Sequence, residues 1–408
     1  MNIKNVFGFH RIYADAAAAT PIHPRVKRRL ITLLEQYANP GALHKEAVAA
    51  KSELEKARAE IAAAIGAHPD EIIFTASGTE ANNLALMGTL MPLLREHTNI
   101  RAVTSSIEHQ SVLETLAHLK KYGLEVIELP VDEGGLVSPQ ALAEAITDTT
   151  ALVSIQLVNS EVGTIEPIRE IAREIRRVRR ARAAAGNTLP LLFHSDAAQA
   201  PLYLEVKVEK LGVDLMTLDA QKVLGPKGVG ILYRKRGVAI EPIMFGGRQE
   251  SGLRPGTENM PLAGAFAEAL TMAQDGVEER ATRVAAVRDF LMDELLKRIP
   301  NTHIHGPFDS AQGTLPAYRV ANNINLSIEG LEGETAVIAL DALGIAVSTR
   351  SACSALNTEP SHVMTALGLS RDRAREAVRI TLLPDATEAD ALRIVSTFEK
   401  VCALYRKK

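Results

Sequence analysis

From residue 72 to residue 233, short apolar runs alternate with segments of helical periodicity, and few folds accommodate that rhythm. The apolar runs fall at Ile72–Thr75, 102–104, Glu125–Leu129, 152–158, 191–193, 215–218 and 229–233, with helices expected over 111–122, 139–146 and 167–185. Runs that stay apolar at consecutive positions suit strands covered by helices on both faces, so the pattern predicts a mostly parallel, doubly wound α/β sheet. Ligands of such sheets bind beyond the carboxyl ends of the strands, which directs attention to the residues just after each run.

Ahead of the sheet, Ala50, Leu54, Ala57, Ile61 and Ile65 recur every three or four positions and predict a helix that stops at Gly66. After Pro261 one long helical stretch is expected to about Arg298, followed by strands near 323–327, 345–348 and 378–381. A last helix starts from Thr387, which is spaced from Asp390 as in a capping box. A chain of 408 residues exceeds what one hydrophobic core usually serves. A large domain over 21–261 and a smaller one from 1–20 and 262–408 are expected.

Composition excludes several function classes. With 46% apolar and 23% charged residues the chain is globular, neither disordered nor membrane-spanning. A net charge of -3 offers no field for nucleic acid. The arginine-rich run 169–182 carries Ile171, Ile175 and Val178 at helical spacing and reads as an amphipathic helix with a solvated outer face. Two cysteines, Cys353 and Cys402, cannot build the disulfide framework of a small secreted fold. Without a signal-like N-terminal apolar run or a membrane span, a cytoplasmic location is expected.

Three segments after strand ends carry chemistry. Ala76-Ser77-Gly78-Thr79-Glu80 opens a helix, where it forms either a plain turn or a cradle of N–H groups for an anion. Asp196 directly follows a buried run, and it serves either as a helix cap or as the partner of a cation such as a protonated pyridine nitrogen. Lys222 stands at another strand end before a glycine-rich loop, as a solvated lysine or as an amine available for imine chemistry. Cys353 lies between small, polar-rich stretches, where a thiol is exposed enough to react, whereas Cys402 sits beside Val401 and Leu404 and reads as core.

Over roughly residues 11–405 the chain resembles the cysteine desulfurase branch of the class V aminotransferases. The blocks that carry the resemblance are Asp15-Ala16-Ala17-Ala18-Ala19-Thr20-Pro21, Phe74-Thr75-Ala76-Ser77-Gly78-Thr79-Glu80-Ala81-Asn82-Asn83, Ile107-Glu108-His109 and Asn159-Ser160-Glu161-Val162-Gly163-Thr164. The aspartate and lysine segments follow, then Gly246-Gly247-Arg248-Gln249-Glu250-Ser251-Gly252-Leu253-Arg254-Pro255-Gly256-Thr257 and Ser348-Thr349-Arg350-Ser351-Ala352-Cys353-Ser354.

The resemblance implies a fold type I transferase dependent on pyridoxal 5'-phosphate. Its large domain would hold a mostly parallel seven-stranded sheet, and its smaller α+β C-terminal domain would carry the catalytic cysteine loop. Lys222 resembles the lysine joined to the cofactor, Asp196 the pyridine-nitrogen partner, His109 the imidazole stacked on the ring and Gln199 the donor to the phenolic oxygen. Gly78, Thr79, Thr217 and Gln221 would hold the phosphate, with Thr257 donated across a homodimer. Arg379 matches the arginine that forks onto the substrate carboxylate, with Asn159 and Ser160 nearby. L-cysteine would yield L-alanine and a persulfide on Cys353, passed to a sulfur acceptor or scaffold protein for iron–sulfur cluster or thio-cofactor synthesis; no metal is implied.

Four positions depart from the family pattern. Gln221 stands where most members have histidine, Ser160 replaces a second asparagine, and Asp219 with Ala220 replaces a serine and a small residue beside the phosphate. A carboxylate there repels phosphate, so Asp219 is expected to point away or be neutralised. A selenocysteine lyase, or another class V enzyme, would not need Cys353. A non-catalytic scaffold for sulfur-transfer partners would follow if these departures abolished cofactor binding.

Overall fold

The structure, a computed structural model, describes residues 11–308, 318–349 and 361–405. The chain enters through β1 (Ile12–Tyr13), α1 (Pro24–Leu34) and α2 (Lys45–Ile65). The last ends at Gly66, whose φ of 70° is the left-handed stop the sequence calls for. The alternation that follows comprises β2 (Ile72–Thr75), α3 (Gly78–Glu96), β3 (Arg101–Ser105), α4 (Gln110–Lys120), β4 (Glu125–Leu129) and α5 (Pro139–Ala145). It continues with β5 (Thr150–Ser154), α6 (Ile168–Ala184), β6 (Leu192–Asp196), α7 (Val208–Leu211), β7 (Leu215–Asp219) and β8 (Gly230–Arg234).

These strands form one seven-stranded sheet in the order β2-β8-β7-β6-β5-β3-β4. Every neighbouring pair is parallel except those of β8, which runs against both β2 and β7. Successive strand residues enter opposite cores, as a two-residue side-chain period requires. Ile73, Ala102, Leu152 and Leu232 pack with Leu84 and Leu86 of α3 and Leu116 of α4, whereas Phe74, Val103, Val153 and Ile231 face the core that contains α2 and α6. Burial on both faces explains why these runs do not alternate with polar residues.

The remaining chain forms α8 (Met260–Gln274), α9 (Val277–Arg298), β9 (Thr302–His305), β10 (Asn323–Ile328), α10 (Gly333–Ala342), β11 (Ile345–Ala346), α11 (His362–Ala366), α12 (Arg371–Arg375), β12 (Ala377–Thr381) and α13 (Glu388–Tyr405). The single long helix expected after Pro261 is two helices, because Gly276 adopts a left-handed φ of 61° between them. α8 packs on α1 and α2 while α9 packs on α13, so residue 261 lies one helix before the packing changes partners. β9, β10 and β12 form an antiparallel sheet, and β1 lies parallel to β11. The segment after β1 then runs beside β12, with Thr381 N–H donating to the Ala14 carbonyl at 2.8 Å.

Thr387 and Asp390 cap α13 reciprocally, each backbone N–H donating to the other side chain at 3.0 and 3.2 Å. Cys402 is half-buried at the margin of the core rather than within it. The fifth strand stops at Ser154, short of the expected 158. Among the described residues no helix is long and apolar enough to cross a membrane.

Candidate active site

The carboxyl edge of the parallel strands gathers most of the expected site. Asp196 ends β6 and Asp219 ends β7, with Lys222 three residues beyond in a single 3-10 turn; His109 follows β3 and the Ser77–Gly78 turn follows β2. Strand order thus brings together residues far apart in the chain.

Asp196 is half-buried and held from two sides. Asn82 Nδ2 donates to its Oδ2 at 2.7 Å, and the Ala198 N–H donates to its Oδ1 at 3.0 Å. The same Asn82 amide donates to Ser111 Oγ at 2.8 Å, and Ser111 Oγ lies 2.7 Å from His109 Nδ1. His109 Nδ1 also accepts the Ser111 backbone N–H at 3.1 Å, which assigns the ring proton to Nε2 and leaves Nε2–H as the donor of a neutral imidazole. One chain of polar contacts therefore joins the aspartate to the imidazole. Beneath it Glu108 is fully buried, accepting from Ser105 Oγ at 2.6 Å and from the Gln156 N–H at 2.9 Å; burial pushes its carboxyl well above the usual range.

Lys222 Nζ donates to the carbonyls of Ala17 and Ala18, each at 2.7 Å, and Gln199 Nε2 donates to the Ala17 carbonyl at 3.0 Å. The N-terminal segment thereby draws the amine and the amide together. Sequence reasoning overlooked this role because a backbone carbonyl leaves no residue signature. Asn82, also overlooked, stands inside the quoted block as a polar residue in a helix interior, and its 1% exposure demands partners.

The expected cradle falls at the start of α3, where an acidic side chain already occupies one N–H group. Ser77 caps α3 by accepting the Glu80 N–H at 3.2 Å, and Thr79 is exposed at the helix start. Gly230 of β8 lies so close that a Cβ there would meet the Ser77 carbonyl carbon at 2.7 Å. Asp219 does not point away: its Oδ2 accepts the Gly78 N–H at 3.0 Å and the Gln221 side-chain amide at 3.1 Å. Thr217, expected to help hold the phosphate, lies within β7. It has no exposed surface, and its hydroxyl lies 3.2 Å from Nε2 of His194, a buried imidazole kept neutral by a pKa lowered to about 4.

Arg379 is 1% exposed in β12. Its Nη2 donates to Asp15 Oδ1 at 2.7 Å and its Nη1 to the Ser160 carbonyl at 3.2 Å, so Ser160 contributes backbone to this corner. Asn159, expected near the substrate carboxylate, has an amide that donates to the Ile107 carbonyl and accepts the Glu161 and Val162 N–H groups at 2.8 and 3.0 Å. Thr257 is exposed beside a cavity of about 230 Å³ that Ala76 and Arg254 also line. Its loop is tied to the cradle by Arg254 Nε donating to Glu80 Oε1 at 2.9 Å, and to β2 by Glu250. Cys353 lies outside the described residues.

A lysine beyond one strand end, an aspartate beyond its neighbour and a helix-start cradle define a class. The aminotransferase class-V family model matches residues 12–394, and the chain belongs to that family. Within it, the chain is 37% identical over 391 residues to cysteine desulfurase IscS of Dictyoglomus turgidum, covering 96% of this chain and 94% of that protein. It superposes on a solved NifS-like protein with a TM-score of 0.86 at 33% identity, covering 96% of this chain and 99% of the other. It superposes on SspA in complex with cysteine with a TM-score of 0.76 at 32% identity, covering 92% and 100%. The branch is accordingly that of the cysteine desulfurases.

Enzymes of this family depend on pyridoxal phosphate, and most of the site fits it. A half-buried carboxylate fixed by Asn82 suits a protonated pyridine nitrogen, the Lys222 amine lies close to Gln199, and the α3 start offers N–H groups to a phosphate. Asp219 alone is a group that a phosphate would not select.

Proposed function

We infer that this chain removes sulfur from L-cysteine, yielding L-alanine and a persulfide on Cys353. The observation that carries this reading is the Lys222 amine, drawn beside Gln199 by the Ala17 carbonyl one strand from the fixed carboxylate of Asp196. When bound there, pyridoxal phosphate supplies an electron sink for charge that develops at the substrate α-carbon.

The chain's own groups do the remainder. Arg379 receives the substrate carboxylate in its guanidinium fork, and its buried Nε, without a hydrogen-bond partner among the described residues, supplies a donor beside the two already engaged. Asp15 yields its place there. Lys222 Nζ takes the α-proton, and His109 serves as a proton donor or acceptor while the sulfur moves to Cys353. The sum is balanced: L-cysteine and the Cys353 thiol give L-alanine and the Cys353 persulfide, with no outside oxidant or reductant.

Thr257, on an exposed loop anchored at the cradle rim, serves the other subunit of a homodimer, and the persulfide sulfur passes to an acceptor or scaffold protein for iron–sulfur or thio-cofactor synthesis. Two cysteines in 408 residues fit a reducing compartment, the cytoplasm. The 21–261 unit holds the cofactor, and the small unit carries Arg379 and the Cys353 loop.

Borohydride reduction with pyridoxal phosphate, followed by peptide mass spectrometry, tests the first part: the adduct belongs on Lys222, and its absence there refutes the reading. Incubation with cysteine then adds the mass of one sulfur to Cys353. A Cys353→Ser variant that makes alanine at the wild-type rate would favour a selenocysteine lyase type of enzyme.

A further inference from the structure

We propose that Asp219 is a built-in competitor of the cofactor's phosphate, which leaves pyridoxal phosphate readily exchangeable in this chain. The inference rests on the cofactor reading of the site given above and concerns how tightly that cofactor is held.

Asp219 is the last residue of β7 and is 6% exposed. Its carboxylate accepts three hydrogen bonds, from the Gly78 N–H at 3.0 Å and from the Gln221 side-chain and backbone N–H groups at 3.1 Å each. Two of these donors, Gly78 and Gln221, are the ones a phosphate would use. The carboxylate is packed in place: a Cβ on Gly78 would lie 3.3 Å from both the Cβ and the Oδ2 of Asp219.

The charge balance points the same way. A helix N-terminus carries roughly half a unit of positive charge, and here the Asp219 carboxylate of the same chain already answers it. The nearby Arg254 donates to Glu80, and Lys222 donates to backbone carbonyls. An arriving phosphate therefore places like charges within a few ångströms of one another in a half-buried site, where such repulsion is strong. It must share the Gly78 N–H with Asp219 or displace the carboxylate, which frees the Gln221 amide. Either course weakens binding of the phosphorylated cofactor and leaves the ring end untouched.

The test compares wild type with Asp219→Asn and Asp219→Ser. The asparagine keeps the size and an acceptor for the Gly78 N–H while removing the charge. Cofactor-free proteins are titrated with pyridoxal phosphate and, separately, with pyridoxal, following adduct absorbance and the borohydride-trapped mass on Lys222. Both variants should bind pyridoxal phosphate about tenfold or more tighter and lose it more slowly on dialysis, while affinity for pyridoxal moves by less than about twofold.

Equal tightening for both ligands, or no change for either, overturns the proposal. Weaker binding of pyridoxal phosphate in both variants also overturns it, and assigns Asp219 to capping the turn that carries Lys222. Failure of the wild type to trap any adduct on Lys222 sinks the functional reading itself, a result distinct from an adduct whose affinity Asp219 does not influence.

Discussion

Replacing Glu250 by alanine tests how the glycine-rich loop that carries Thr257 is held. Glu250 accepts from Arg58 Nη1 at 2.9 Å and Nη2 at 2.7 Å, and from the Phe74 N–H at 2.9 Å. The side chains of Arg58 and Glu250 are 11% and 2% exposed, so the pair is almost dry. Burial opposes the charge on Arg58, yet the Glu250 carboxylate outweighs it and holds the guanidinium above its ordinary range. Arg58 also lies over the Phe74 ring, 4.9 Å from its centre.

Glu250→Ala leaves that guanidinium and the Phe74 N–H without their acceptor. Removing one partner of a buried pair costs about 3–5 kcal/mol. Arg58 retains the Ile72 carbonyl at 2.7 Å and the exposed Glu55 at 3.3 Å, which places the loss at the lower end, about 3 kcal/mol. Urea unfolding followed by circular dichroism measures it, and a double-mutant cycle with Arg58→Ala should recover about 2 kcal/mol as coupling. A loss below about 1 kcal/mol, or two substitutions that simply add, would refute the clamp. On the role proposed for Thr257, loosening the loop should also weaken pyridoxal phosphate binding.

Arg379→Lys keeps the charge and loses the fork, so kcat/KM for L-cysteine should fall about a hundredfold while the cofactor absorbance persists; an unchanged value would remove Arg379 from substrate binding. Glu166 is buried with one oxygen accepting the Val137 N–H at 3.0 Å, and burial raises its folded pKa from 4.5 to about 8. A raised carboxyl pKa gives stability that is complete below pH 4.5 and declines as the pH climbs to about 8. Glu166→Gln removes that slope, so its stability relative to wild type should rise across the window by at most about 1.4 kcal/mol per pH unit; parallel denaturation profiles would contradict this.

Much of this arrangement is legible in the residues. Strands buried on both faces cannot alternate, so the runs at Ile72–Thr75 and Thr150–Ser154 announce themselves, and the glycine at 66 marks the end of α2. Asp196 and Lys222 stand out because polar groups directly after buried strands need a reason. What the chain hides is direction. Whether Asp219 turns toward or away from Gly78 depends on the 3-10 turn it caps and on the close approach of Gly230, neither of which has a sequence period. Thr217 and Asn159 are polar and near the site, yet their hydrogen-bonding groups meet neighbours instead. The carbonyls of Ala17 and Ala18 act through atoms that every residue possesses.

Segments from near the start and near the end of the described chain meet close to Lys222. Asp15 pairs with Arg379, and Ala14 and Ala16 flank Thr381, contacts that span more than three hundred and sixty positions. A ribosome must finish nearly the whole message before the corner formed by Asp15 and Arg379 can close. Any product cut short before β12 lacks Arg379, and with it the ion pair that closes on Asp15.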